Sequence, residues 1–271
     1  SVETGLVRLS VGGVGFAVPM DAVATVMAAS QVVRDEAGGI VRVGHVPSRF
    51  GAIPVADSSR LFRLSGAEQP QSPAAGQRLI VLHGSPPVGL LVDDVTTSTS
   101  SAPEDTFPLP ELCGPPERLL VNAVVWNEQE AFDLVLDLPA LRKVVLGDES
   151  GQGANPESDA PMLPILDAGE CGQSLDVLVG AASTRIAIPL ASIRHIDDVR
   201  PVSPLPLAHP AILGLLSWRR HPIPVIDPCQ LMGLAPAPPS RLVVLDVPGS
   251  STPAPDDVVC ALAVCDIAGI T

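Results

Sequence analysis

The chain of 271 residues has no tyrosine, and Phe, Trp and Tyr together make up 3% of it. It has one lysine, Lys143, and only 16 Lys and Arg against 30 Asp and Glu, for a formal net charge of −14. Surfaces that bind nucleic acid or anionic lipid need clustered cations to neutralise phosphates, so no nucleic-acid partner is expected. No apolar run approaches the roughly 18 residues of a membrane-spanning helix. No basic start followed by an apolar segment marks a signal peptide. A cytoplasmic protein without direct membrane insertion is therefore expected. The five cysteines, Cys113, Cys171, Cys229, Cys260 and Cys265, are odd in number, irregular in spacing and without a CxxC pair. That fits reduced thiols better than a disulfide framework.

The usual signatures of catalysis are missing as well. There is no phosphate-cradling GxxxxGK and no nucleophile-elbow GxSxG, and His45 and Ser48 have no triad context. Only Cys260 and Cys265 approach a metal-ligand spacing. Residues five apart on a strand point to opposite faces, so they would not converge on zinc. No metal, cofactor or catalytic residue is expected. Asp57 and Asp227 each follow an apolar strand, as the paired carboxylates of a two-lobed aspartic protease do. Their turns, Asp57-Ser58-Ser59 and Asp227-Pro228-Cys229, lack the glycine of that family. The preferred reading is a helix N-cap, in which each Asp ends a strand and opens a short helix.

What the chain does have is a duplication. Phe16-Ala17-Val18-Pro19-Met20 aligns with Ile186-Ala187-Ile188-Pro189-Leu190 at an offset of 170, and Ile53-Pro54-Val55-Ala56-Asp57 aligns with Ile223-Pro224-Val225-Ile226-Asp227 without a gap. Between and beyond these anchors Gly44 falls on Gly214, Arg49 on Arg219 and Leu61 on Leu231. One register held over 46 positions predicts two copies of one domain. Apolar residues at 46% suffice for two cores. Arg78 to Leu82 matches Arg241 to Leu245 at 163, and Asp94-Val95 matches Asp266-Ile267 at 172, so length changes fall in loops.

Short segments rich in Val, Ile and Leu, set off by Gly, Pro, Ser and Asp, predict an all-β fold with small helical connections. Thirty prolines argue against long helices. Short helical pieces are expected at residues 20–27, 59–64 and 138–144. The domains are expected at residues 1–146 and 174–271. A polar linker, 147–173, joins them and carries one apolar stretch, Met162-Leu163-Pro164-Ile165-Leu166-Asp167. The second copy stops just after the Asp266-Ile267 strand and lacks counterparts of residues 121–138, which should close its second barrel. Residues 163–167 are a candidate for the missing strand.

The segment from Ile212 to Asp227, ILGLLSWRRHPIPVID, resembles the signature of CheW-like domains. That signature is an apolar-Gly-apolar-apolar-Asn-apolar-Arg-Gly segment followed by an apolar-Pro-apolar-apolar-Asp strand. The first copy keeps Gly44, Arg49, Pro54 and Asp57. It adds Gly89 to Val95 and Phe132 to Asp137, which resemble later strands of the family. The resemblance covers residues 6–145 and 174–268. It implies two five-stranded barrels per domain, similar to SH3 barrels. It implies a non-enzymatic adaptor whose partners are the regulatory domain of a CheA-type histidine kinase and the cytoplasmic tip of a chemoreceptor. It places the receptor-contacting arginine on Arg49 and Arg219, and the apolar residue two before a family acidic position on Val23 and Ile193. The family's acidic residue is Thr25 or His195 here, and its glycine after the arginine is Phe50 or Arg220. Trp218 and Arg220 complete the expected protein-interaction residues. A second expectation is an interaction module of a pilus, motility or developmental pathway that does not bind a receptor array.

Overall fold

A computed structural model describes residues 5–35, 41–49, 51–64, 76–97, 105–127, 131–147, 172–246 and 258–271. The chain forms two compact units. One holds Ser1–Leu109, Pro115–Glu128 and Phe132–Asn155; the other holds Pro110–Gly114, Gln129–Ala131 and Pro156–Thr271. Both are β-rich with short helices, as the residue pattern predicts.

The first unit contains strands β1 (Leu6–Val11), β2 (Val14–Pro19), β3 (Val23–Ala28), β4 (Val33–Arg34), β5 (Arg42–Ser48), β6 (Gly51–Asp57), β7 (Arg78–Leu82), β8 (Val88–Val92), β9 (Asp94–Thr97), β10 (Thr106–Pro108), β11 (Val121–Trp126) and β12 (Phe132–Leu136). They form two sheets of six strands, ordered β10-β11-β12-β2-β1-β9 and β3-β7-β8-β6-β5-β4. Each therefore has one strand more than the five the resemblance implies, short β10 and β4 being edge additions. The first sheet joins strands from both ends of the domain: β12 pairs in parallel with β2, with Leu134 opposite Phe16 and Val135 opposite Ala17. Phe16, Val18, Leu134 and Leu136 are buried there, and Phe16 stacks on Phe62 at 4.4 Å.

The second unit contains β13 (Ser174–Val179), β14 (Thr184–Pro189), β15 (Ile193–Asp198), β16 (Ile212–Trp218), β17 (His221–Ile226), β18 (Arg241–Asp246), β19 (Val258–Val264) and β20 (Asp266–Ile270). Its sheets are ordered β14-β13-β20 and β15-β18-β19-β17-β16. Leu175, Val177, Val179 and Ile188 of the small sheet share one core with Ile226, Val243, Leu245 and Val264 of the larger. Leu112, in the Pro110–Gly114 segment that groups with this unit, packs against the same cluster.

The first domain shows which sheet such closing strands join. Counterparts of β11 and β12 belong to the sheet of β13, β14 and β20, because β12 pairs with β2 and not with β6 to β8. Strands β18 and β19 each have neighbours on both sides. Residues 163–167 lie outside the described residues.

Two further expectations meet different outcomes. Asp57 and Asp227 are N-caps: the Asp57 carboxylate accepts from the Ser59 N–H at 2.9 Å, and Asp227 from the Cys229 N–H at 2.8 Å. They open helices α1 (Ser58–Leu61) and α4 (Pro228–Met232). Between them in sequence, α2 (Pro116–Leu119) and α3 (Leu138–Leu146) complete the set of described α-helices, and Asp137 caps α3 through the Ala140 N–H. The helix expected over 20–27 is a single 3-10 turn, Met20–Ala22, followed by strand β3. Val23, Thr25 and Val26 are β-branched, and pairing with β7 outweighs the helical tendency of the intervening Ala and Met residues.

Candidate functional site

The sheet of β3 to β8 in the first domain and that of β15 to β19 in the second repeat each other in detail. β3 bulges between Val23 and Thr25 where it pairs with β7, and β15 bulges between Ile193 and His195 where it pairs with β18. β5 and β16 shift register just before Gly44 and Gly214. The shared glycine has a steric cause. A Cβ on Gly44 would overlap the Val33 carbonyl oxygen, and a Cβ on Gly214 would overlap that of Ser203. The chain crosses both places the same way: β4 pairs Val33 with His45, and Ser203 bridges Leu215, 170 residues later.

The residues predicted for protein interaction lie at two places on this scaffold. Val23 and Ile193 are the first residues of β3 and β15, half-buried beside the bulge, and these strands are sheet edges with most side chains exposed. A bulge at a sheet edge turns a side chain out of the ladder and interrupts further pairing. Arg49 and Arg219 are exposed at the tips of the β5–β6 and β16–β17 hairpins. In the second domain the hairpin is a two-residue turn between Trp218 and His221. Arg219 and Arg220 have φ of 49° and 69°, as a type I′ turn demands. Glycine takes this conformation without steric penalty and arginine does not, which gives the family's glycine at Arg220 a backbone reason.

In the second domain these places come together. β15 and β16 are opposite edges of one sheet, yet the His195 and Trp218 rings lie 5.0 Å apart at 46°. The sheet therefore curls until its two edges meet. The Arg219 guanidinium carbon lies 5.6 Å from the Trp218 ring centroid, a cation–π contact worth about 0.5–1 kcal/mol at such an exposed site. Trp218 rests on the core of Leu216, Ile223, Val225, Leu242 and Val244. Its Nε1 is buried and has no hydrogen-bond partner among the described residues. Elsewhere in this domain Ile196, Val199 and Leu213 are exposed apolar side chains. Ion pairs along this sheet join Arg194 to Asp246 at 2.6 Å, Arg241 to Asp198, and Arg200 to Asp197, which also lies 3.8 Å from His195 Nε2. The result is a patch of two rings beside the arginines of a hairpin tip.

The equivalent positions of the first domain are Thr25, Ser48 and Arg49, so no ring stack forms there. The first domain instead ties its edge with a polar cluster. Asp35 meets His45 Nδ1 at 2.7 Å and Arg42 at 3.2 Å. The His45 hydrogen bond, then the Arg42 charge, hold the Asp35 carboxyl below its ordinary value. At the same positions the second domain has Leu205, Ile212 and Leu215, all buried. His195 is the site member that the motif comparison did not select. It stands where the family has an acid, and its contact with Trp218 arises only when the sheet edges meet.

Nothing among the described residues gathers three or more His, Cys, Asp or Glu in a metal-binding group. Burial pushes the Cys113 and Cys260 thiols up to about 12, far above the range in which a thiolate acts as nucleophile. No helix among the described residues is long and apolar enough to cross a membrane.

Comparison with known proteins gives a consistent family. The CheW-like domain model matches residues 5–145 and 177–271. A crystal structure of the scaffolding protein TtCheW from Thermoanaerobacter tengcongensis is similar at 16% sequence identity and a TM-score of 0.43, over 51% of this chain and 90% of that one. No curated protein sequence matches.

Proposed function

We propose a scaffold role for this chain, which belongs to the CheW-like domain family. In this reading it is a non-enzymatic, cytoplasmic adaptor of a chemosensory complex. It couples a chemoreceptor's cytoplasmic tip to the regulatory domain of a CheA-type histidine kinase. The observation that carries the reading is the patch of His195, Trp218 and Arg219, where a bulged edge strand and a hairpin tip meet. Tryptophan and arginine are the side chains over-represented among residues that dominate binding energy at interfaces. A planar guanidinium also binds carboxylates through two parallel hydrogen bonds. The repeated Asp57 and Asp227, the pair that could have suggested acid–base chemistry, are occupied as helix caps. Val23, Arg49 and their surroundings form the weaker, ring-free counterpart.

A second reading is favoured by Arg220 and His195, which stand where the family has a glycine and an acid: an interaction module of a pilus, motility or developmental pathway. Reconstitution separates the two. The adaptor reading expects the chain to co-sediment with receptor tips and a CheA-type kinase from the same cell, and to raise kinase recruitment over receptor alone. If neither partner retains the chain, the adaptor reading fails and the second one stands.

A further inference from the structure

The small sheet of the second domain has an edge where the first domain has an interior strand. In the first domain the outer side of β2 is covered by β12, and Phe16 and Ala17 are 0% and 1% exposed. Their counterparts on β14, Ile186 and Ala187, are half-buried and exposed, and β14 pairs only with β13 among the described residues. An unpaired edge beside an apolar core is a template for another strand.

We infer that this edge takes the chain's own apolar segment, residues 162–167, as a strand parallel to β14. The segment lies outside the described residues, and four features of its sequence and of the edge favour it. First, Met162-Leu163-Pro164-Ile165-Leu166-Asp167 aligns with Phe132-Asp133-Leu134-Val135-Leu136-Asp137 at an offset of 30. Carrying over the β12–β2 register puts Pro164 opposite Ile186 and Ile165 opposite Ala187.

Second, the connection has the right polarity and length. A strand parallel to β14 ends beside Pro189, and β13 begins there, with Ser174 opposite Pro189. Residues 168–173 then have to span two strand spacings, about 10 Å, and six residues reach roughly 20 Å.

Third, the charges are exchanged in a matching way. In the first domain Arg8 on β1 receives the acid that β12 brings: Asp133 bonds Arg8 through Nε at 2.6 Å and Nη2 at 3.0 Å. Gly15 leaves room for it, because a Cβ there would overlap Asp133 Oδ1. The strand pairings place Asp176 at the position of Arg8 and Arg185 at that of Gly15. Asp176 is satisfied from within, by Arg185 at 3.2 Å. An incoming strand therefore needs no charge at the position of Asp133, and the segment offers Leu163 there. Fourth, Pro164 lacks an N–H, which suits an edge strand, and the described residues supply no counterpart of β11 beyond it.

The test is amide hydrogen exchange on the full chain. The alternate amides of residues 185–188 that face away from β13 should be protected, and Ile165→Asp should speed their exchange by about tenfold or more while β16 and β17 keep theirs. Fast exchange in the unaltered chain, or protection that Ile165→Asp leaves unchanged, overturns the inference. A second variant tests the register without disturbing the core: Ile165→Cys with Ala187→Cys, in a Cys171→Ser background. A disulfide within one molecule supports the assignment. A disulfide between two molecules shows that a second copy occupies the edge, and absence of a disulfide rules out this register; either result overturns it.

Discussion

Strands β2 and β14 descend from one sequence and hold the same place in their domains, yet among the described residues β2 is an interior strand and β14 an edge. Side chains adjusted to that difference. Where the first domain leaves a glycine so that Asp133 can enter from β12 and meet Arg8, the second places Arg185 and answers its own Asp176. A repeat can thus keep its backbone register while the source of a neutralising charge moves from a distant strand to an adjacent one. The sheets of β3 to β8 and of β15 to β19 diverge in the opposite sense. Both bulges and both crowded glycines are kept, but the polar cluster of Asp35, Arg42 and His45 becomes Leu205, Ile212 and Leu215, and Thr25 and Ser48 become His195 and Trp218. Conversion of the polar cluster to aliphatic packing dispenses with its ion pairs, and the second copy adds two rings beside its hairpin tip. The two copies share a frame and differ in the side chains it presents.

Each domain holds one tryptophan, Trp126 or Trp218, so single-tryptophan variants can report the unfolding of each separately. The largest difference is expected for Phe16→Ala against Ile186→Ala. Loss of a fully buried ring should lower the first domain's stability by about 3–5 kcal/mol, against about 1 kcal/mol for the half-buried isoleucine of the second. Equal losses in denaturant titrations would show Ile186 to be buried as deeply as Phe16.

A smaller contrast is expected for the acids. Asp133→Ala removes a buried carboxylate that also accepts from Asn127 at 3.0 Å, and should lower stability by about 2 kcal/mol. Asp176→Ala leaves behind an Arg185 side chain that is 65% exposed, so its loss should stay below about 1 kcal/mol. Thermal unfolding followed at each tryptophan checks both.

Smallest is the acid response of the polar cluster. The native Asp35 carboxyl is held below its ordinary value, so its contribution is fully present above about pH 4 and is lost as pH falls through the lowered native value. Acid titration should loosen the first domain in that window, and Asp35→Asn should flatten the response. The second domain, with leucines and isoleucine there, should show no matching change with Leu205→Ala.

Much of this was legible in the residues because it is local. The offset of 170, the N-caps at Asp57 and Asp227 and the hairpin tips depend on contacts within a few positions. The features that were not legible depend on pairing across the chain. β12 reaches back to β2, so no reading along the chain showed which sheet counterparts of β11 and β12 would join in the second copy. Residues 23–27 mix Ala and Met with β-branched residues, and only the pairing with β7 decides for strand. Gly44 and Gly214 could be seen to correspond, but their steric cause is a carbonyl from a strand earlier in the chain. Trp218 and Arg219 stood out in the motif, whereas His195 joins them only through the curl of a five-stranded sheet.

The central claim is that the second domain's patch carries partner binding, and its most direct test is affinity. Calorimetric titration of the full chain with a CheA-type regulatory domain or receptor tip should show Arg219→Ala weakened by about tenfold or more, equivalent to 1.4 kcal/mol. Arg49→Ala should stay within about twofold. Equal weakening by both, or by Arg49→Ala alone, would contradict the account.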